Sequence, residues 1–259
     1  MRVIHSVSEF QDWRGSQSKP VAFVPTMGAL HRGHAELLRQ ARSYTLTNGD
    51  TGGSLVLSIF VNPTQFNDAK DLQAYPRTWE EDLKIATECG VDVVFAPEFT
   101  DMYPDQYRYS VSENQKSMIL CGASRPGHFN GVLTVVMKLF QVVRPHRAFF
   151  GEKDFQQLQL IRDMAQAFFL PLTIQGVPTV REDSGLALSS RNVRLSEDGR
   201  RKASLIFKTL TQSQNVNDAR KTLEKHGFQI DYVEEHWGRR FAAVFLEGVR
   251  LIDNVSIAN

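Results

Sequence analysis

Through its first two thirds the sequence alternates short apolar, β-branched runs with longer segments of helical periodicity. Parallel strands joined by crossover helices read this way, so the chain is predicted to be an α/β protein. Strands are expected at 21–24, 55–61, 91–96, 148–150 and 172–180, with helices at 34–43, 79–89, 132–143 and 155–168 between them. Thr78 with Glu81 predicts a capping box at the head of the second helix, and Gly90 stands where a left-handed C-terminal residue is wanted. Asp82, just inside that helix, reads as a solvated helix carboxylate, the alternative being a group that approaches a cation. After Val180 the texture changes. A polar, Arg-containing loop at 181–194 leads to helices near 198–210 and 218–226, the second stopped by Gly227, and then to short strands at 232–234, 242–246 and 249–252. A boundary near 178 divides the chain into 1–178 and a smaller α+β unit, 179–259. The Gly-Asp-Thr-Gly-Gly-Ser run at 49–54 reads as a flexible loop without function.

Composition removes whole classes of function. With 30 basic and 29 acidic residues the net charge is +1, and the two signs are mixed along the chain. A nucleic-acid footprint needs a clustered Lys/Arg excess, which is absent. No apolar run approaches a membrane span, and residues 1–10 hold no apolar signal region, so a cytoplasmic location is expected. Two cysteines, Cys89 and Cys121, cannot build a disulfide framework and lack metal-ligand spacing. They are expected to be buried or partly buried thiols with no chemistry.

The most informative stretch is Pro25-Thr-Met-Gly-Ala-Leu-His31-Arg-Gly-His34, where the first expected strand ends and the first long helix begins. In an open parallel sheet, ligands bind at the carboxyl ends of strands beside helix N-termini, whose free N–H groups favour phosphate. His31 and His34, three apart, share one face of the opening turn, while Gly28 and Gly33 leave room for a ligand against the backbone. Such histidines also serve as caps or packing residues, and a zinc site would need a third ligand that the sequence does not supply. Gly151-Glu152-Lys153-Asp154, followed by Gln157, emerges at the same edge of the sheet. Lys153 suits a phosphate and Asp154 a ribose, although a Lys-Asp pair is also found as a solvated surface pair. Leu188-Ser189-Ser190-Arg191 offers two hydroxyls and a guanidinium to an anionic leaving group, on a loop able to close over a nucleotide. Asn62 and Gln65 flank a stiff Pro63 turn and could fix a polar substrate through paired amide bonds, or Asn62 could simply hold the turn. The entry at 125–131 is read as structural rather than catalytic.

Taken together and in order, 24–34, 58–66, 75–78, 125–132, 150–158, 181–192 and 250–254 resemble the pantothenate synthetase (pantoate–β-alanine ligase) family over nearly the whole chain. The resemblance implies a Rossmann-like nucleotidyltransferase domain with a C-terminal lid, and a homodimer. It also implies a Mg²⁺-requiring, ATP-dependent condensation of pantoate with β-alanine through a pantoyl-adenylate. Carried over by motif position, ATP would contact Met27, Gly28, Ala29, Leu30, His31, Arg32, Gly33 and His34, then Gly151, Glu152, Lys153, Asp154, Val180, Leu188, Ser189, Ser190 and Arg191. His34 would be the proton donor, with His31 and Lys153 beside it in catalysis. Gln65 and Gln157 would hold pantoate, Gln65 also lying near β-alanine, with Asn62 in the same substrate site. The metal ligands stay unassigned. Two departures accompany the match: the region after Asn192 is shorter than the family pattern leads one to expect, and His146 stands in place of an acidic residue. Other readings are a His-x-Gly-His enzyme adenylylating a phosphorylated precursor, a class I aminoacyl-tRNA synthetase fragment, and a nucleotide-sensing module without turnover. Near-zero charge argues against tRNA, and the Gln65 and Gln157 pair against a phosphorylated precursor.

Overall fold

The structure, a computed structural model, describes residues 1–47 and 52–257, so Gly49, Asp50 and Thr51 of the run at 49–54 lie outside the described residues. Strands β1 (Arg2–Ile4), β2 (Val21–Thr26), β3 (Ser54–Ile59), β4 (Val93–Phe95), β5 (Arg147–Gly151) and β6 (Thr173–Val177) form one parallel sheet in the order β1-β4-β3-β2-β5-β6. Side chains alternate across it with the period of two that a pleated strand imposes. Phe23, Val56, Val93, Phe95, Ala148 and Phe150 enter the core on one face, and Ala22, Val24, Leu55, Leu57, Val94 and Phe149 enter the core on the other.

Helices cover both faces. On the first lie α1 (Val7–Gly15), α5 (His128–Val143) and α6 (Phe155–Ala167); on the second, α2 (Arg32–Thr47) and α4 (Trp79–Glu88). The short α3 (Ala69–Gln73) stays outside both cores. Helix α5 is apolar nearly all round because it is enclosed on nearly every side, as a fully buried helix must be. Gly90 takes the expected left-handed φ of +73° after α4. The capping box does not form: the Thr78 hydroxyl donates instead to Asp82 Oδ1 at 3.0 Å. The first strand and helix escape a sequence reading because β1 spans three residues and α1 carries a weak apolar stripe. Ser6 accepting the Glu9 amide at 3.2 Å is the available signal for α1.

The C-terminal part packs α7 (Glu197–Ala203), α8 (Leu205–Gln212) and α9 (Val216–Lys225) on an antiparallel sheet of β7 (Gln229–His236), β8 (Arg239–Leu246) and β9 (Val249–Ser256). Its own core joins Ala203, Ile206, Leu210 and Leu223 to Val233, Val244 and Leu251, while Tyr232, Phe241 and Ala243 on the opposite face enter the core of the large sheet. Phe155 of α6 meets Trp237 and Phe241 at ring separations of 6.5 and 6.2 Å, so the two parts share an apolar joint. Cys89 is half-buried and Cys121 buried, both unpaired. Among the described residues no helix is long and apolar enough to cross a membrane. His146, exposed at the start of β5, accepts the Val21 amide at Nδ1 (3.0 Å), a bond that an acid at that position would make with a carboxylate oxygen instead.

Candidate active site

In this strand order β2 lies between β3 and β5, and the chain reverses direction across the sheet at the β2–β5 pair. That pair is the topological switch point, where connections leave to opposite sides and open a crevice at the strand ends. The 25–34 stretch leaves β2 there and the 151–154 stretch leaves β5. A cleft of about 260 Å³ sits between them, closed by the turn at 62–65, the start of α5, and the loop at 188–191.

Of the residues expected at the site, Met27, His31, Gly33, His34, Asn62, Gln65, Gly151, Lys153, Asp154, Gln157, Val180, Leu188, Ser189, Ser190 and Arg191 all line this cleft. Gly28, Ala29, Leu30, Arg32 and Glu152 do not. Arg32 points outward from α2 and is exposed, the Glu152 carboxylate faces Arg239 at 3.9 Å, and the 28–30 turn is drawn back toward α4. The drawing group is Asp82. It is 1% exposed and accepts the Ala29 and Leu30 amides at 2.9 and 2.7 Å, so it is no solvated carboxylate. The two glycines also serve the protein itself. A Cβ on Gly28 would stand 2.8 Å from Asp82 Oδ2, and one on Gly33 would stand 2.8 Å from His31 Cε1.

The two imidazole rings lie 4.1 Å apart, tilted by 34°, and backbone donors fix their tautomers. His31 Nδ1 accepts the Gly33 amide at 3.1 Å, and His34 Nδ1 accepts the His31 amide at 3.3 Å. In each neutral ring the proton therefore sits on Nε2 and is free to be donated. Burial, reinforced by the Lys153 ammonium, pushes the His31 pKa down to about 4, and burial with His31 and Lys153 pushes His34 well below the usual histidine range. Both are neutral donors near pH 7.

Where the turn at 62–65 closes the cleft, Asn62 is 1% exposed and its amide is used up by the protein. Nδ2 donates to Gln65 Oε1 (3.0 Å) and to Gly131 O (3.2 Å), while Oδ1 accepts from Tyr103 and Thr64. Asn62 thus holds the turn and aims Gln65, leaving the Gln65 NH₂ to donate inward. The entry at 125–131 does more than pack. His128 Nδ1 donates to the Gln65 carbonyl at 2.8 Å, Arg125 donates to the same oxygen at 3.1 Å, and a Cβ on Gly131 would strike Thr64 O at 2.4 Å.

The loop at 188–191 is latched. Ser190 Oγ donates to the Tyr75 hydroxyl at 3.3 Å, and Arg191 and Arg194 share Asp71 at 2.8 and 2.9 Å. Burial alone would raise the Asp71 carboxyl, but the bonds and charges of Arg191 and Arg194 hold it below its ordinary value. Arg191 therefore reaches the cleft wall already paired, and an anion must compete with Asp71 for it. Asn254 of β9 donates to the carbonyls of Glu152 and Lys153 at 3.0 and 2.9 Å, fixing the 151–154 turn from behind. Asp71, Asp82, Tyr75 and Asn254 act across long sequence separations, which no local pattern reports. Only the 75–78 and 250–254 stretches of the resemblance point toward two of them.

No group of three or more His, Cys, Asp or Glu placed to hold a metal occurs among the described residues. Asp154, with a half-exposed side chain beside Lys153, is the acidic group lining the cleft. That donor set fits a magnesium ion carried mainly on substrate phosphates, with one carboxylate at hand.

Of the four histidines held below their ordinary value, the three at the cleft contribute a dependence of stability on pH. Burial, reinforced by the Arg125 charge, pushes the His128 pKa down to about 3. Below the unfolded histidine value of 6.5 the unfolded chain takes up protons that the native His31, His34 and His128 refuse, so stability falls as pH drops from 6.5 toward 4. Urea unfolding across that window should show a shallower fall for His128→Asn than for the parent chain; parallel curves would contradict the assignment.

Known proteins place this arrangement. The model of the family described as pantoate-beta-alanine ligase matches residues 2–256. The chain belongs to that family. A pantothenate synthetase of Bdellovibrio bacteriovorus is 59% identical over 256 residues, covering 99% of both chains, and one from Legionella pneumophila is 46% identical, covering 98% and 99%. Among solved structures, the pantoate-beta-alanine ligase of Francisella tularensis, described as complexed with beta-gamma ATP and beta-alanine, superposes with a TM-score of 0.91 at 38% identity, covering 99% of this chain and 97% of that one. The pantothenate synthetase of Thermus thermophilus gives 0.87 at 40%, covering 99% of both. The match covers 97–99% of these proteins' own lengths, so beside them the region after Asn192 is not short.

Proposed function

We propose that the cleft at the β2–β5 switch point joins pantoate to β-alanine at the expense of ATP, giving pantothenate, AMP and pyrophosphate. The observation that carries this reading is the convergence of two Nε2–H donors, the Lys153 ammonium and the Gln65 and Gln157 amides on one enclosed space. Membership in the ligase family supports the same reaction.

In the first step a pantoate carboxylate oxygen attacks the α-phosphorus. The bond to the bridging oxygen breaks, and pyrophosphate leaves. Two anions must approach, so the site has to neutralise charge and hold attacking and leaving oxygens in line. His31, His34 and Lys153 donate to the phosphate oxygens, where charge grows in the transition state, and so act on rate. Asp154 would hold a Mg²⁺ carried on the nucleotide, which would supply further charge neutralisation. Arg191, exchanged from Asp71, and Ser189 and Ser190 receive the departing pyrophosphate. In the second step the neutral amine of β-alanine attacks the acyl carbon, the bond from that carbon to the AMP oxygen breaks, and the surplus proton on nitrogen passes to the departing AMP phosphate. Gln65 and Gln157 hold the hydroxyls of pantoate, while Val132, Val135, Val136 and Leu139 of α5 offer an apolar wall to its dimethyl group. Residues 179–259 form the lid unit, acting through the loop at 188–191, and the enzyme works as a cytoplasmic homodimer.

Gln65→Ala should raise the pantoate KM at least about tenfold, the cost of one or two hydrogen bonds in a dry site, with the ATP KM within about threefold. Equal losses toward both substrates would count against the assignment. Pyrophosphate release measured with ATP alone, with added pantoate, and with pantoate and β-alanine tests the whole reading. Sustained release only in the third arm supports the ligase. Release with ATP alone, or binding of ATP without release in any arm, overturns it.

A further inference from the structure

We propose that Asp82 is a positioning residue for the reaction. Its buried carboxylate holds the turn at 28–30 in the one shape that aims the two histidine Nε2–H groups into the cleft. Gly28 and Ala29 take φ of +76° and +50°, two successive left-handed residues, and the second is a conformation that an alanine seldom adopts unaided. Both amides that this turn exposes, Ala29 N–H and Leu30 N–H, end on Asp82 Oδ2 and Oδ1 at 2.9 and 2.7 Å, and Thr78 Oγ1 donates to Oδ1 at 3.0 Å. Ala29 and Leu30 are buried, so without Asp82 two backbone donors would be left unpaired away from water.

Among the described residues Asp82 makes no ion pair with Lys, Arg or His. Its charge is answered by these donors and by the positive end of α2, which begins two residues after Leu30. The next amide along the chain, His31 N–H, is the donor to His34 Nδ1, and the Gly33 amide is the donor to His31 Nδ1. A shift in the turn therefore passes directly to both ring tautomers. The carboxylate comes this close only because residue 28 has no Cβ. Asp82 touches neither the cleft nor a substrate, so its effect runs through the histidines.

Asp82→Asn keeps the side-chain size but turns an NH₂ donor toward one of the two amide donors, which breaks one of the paired bonds. Two readouts apply: pantoate-dependent ATP–pyrophosphate exchange, and ¹H–¹⁵N correlation spectra of the histidine rings. The first rests on the ligase reading, and a parent chain without exchange would count against that reading alone; the ring spectra then still decide the role of Asp82. Asp82→Asn is expected to lower kcat for exchange at least about tenfold with the pantoate KM within about twofold, since misaligned donors cost rate before they cost binding. The His31 and His34 rings should change from pure Nε2–H tautomers to mixtures. Adding Ala29→Gly, which allows the left-handed turn without the carboxylate, should recover at least about threefold of the lost kcat. Parent-like exchange and ring spectra in Asp82→Asn would overturn the proposal. So would a loss shared equally by kcat and KM that Ala29→Gly does not relieve. If Asp82→Asn does not fold, Thr78→Val loosens the same carboxylate: altered ring signals with reduced kcat support the proposal, and unchanged values overturn it.

Discussion

Replacing Lys153 with methionine should lower pantoate-dependent ATP–pyrophosphate exchange by about a hundredfold or more, equivalent to about 2.7 kcal/mol in the barrier. Methionine keeps the length of the stem and removes the charge. The side chain is 18% exposed and lines the cleft, and its neighbour Asp154 stands 3.8 Å away, too far for a tight pair, so the ammonium is available to a phosphate. Its backbone cannot drift to compensate, because Asn254 holds the carbonyls of residues 152 and 153. A second signature accompanies the loss of rate. Lys153 is one of the causes that depress His31 and His34, so both rings should titrate at higher pH in Lys153→Met. Exchange within threefold of the parent, with unmoved histidines, would contradict the assignment.

Asp253→Ala should destabilise the chain by about 3–5 kcal/mol, the range found when one partner of a buried ion pair is removed. Asp253, with its side chain 4% exposed, takes Arg181 in two parallel bonds of 2.6 and 2.8 Å. Arg181 lies over the Phe207 ring at 3.9 Å and donates to Gly185 O, so its guanidinium cannot swing into water without releasing the loop that leads to 188–191. Removing the carboxylate strands that charge. Arg181→Met combined with Asp253→Ala should recover much of the loss, because the penalty is the stranded charge rather than the missing attraction. Urea unfolding of the single and double variants decides this; additive losses would contradict it.

The sheet was legible because its central strands carry apolar side chains to both faces, and because Gly90 and Gly227 mark helix ends with φ of +73°. The site was legible where chemistry is packed into a few neighbouring residues, as at 25–34 and 151–157. What stayed hidden is whatever the fold alone brings together. Glu80, Glu81 and Asp82 stand side by side in the first turn of α4, and their spacing does not say which one faces inward. The fold turns Asp82 toward a segment more than fifty residues earlier. Arg191 reads as a free cation in sequence, and its pairing with Asp71 spans 120 positions. Asn62 was readable either as a substrate amide or as the holder of the turn before Pro63, and the structure spends its amide on the turn.

The chemistry turns on a pantoate oxygen becoming bonded to the α-phosphorus in this cleft. Pantoate labelled with ¹⁸O at both carboxylate oxygens, turned over with ATP and β-alanine and followed by mass spectrometry, tests it directly. One label is expected in the phosphate of AMP and the other in the amide carbonyl of pantothenate. Label in inorganic phosphate or pyrophosphate, or AMP free of label, would contradict it.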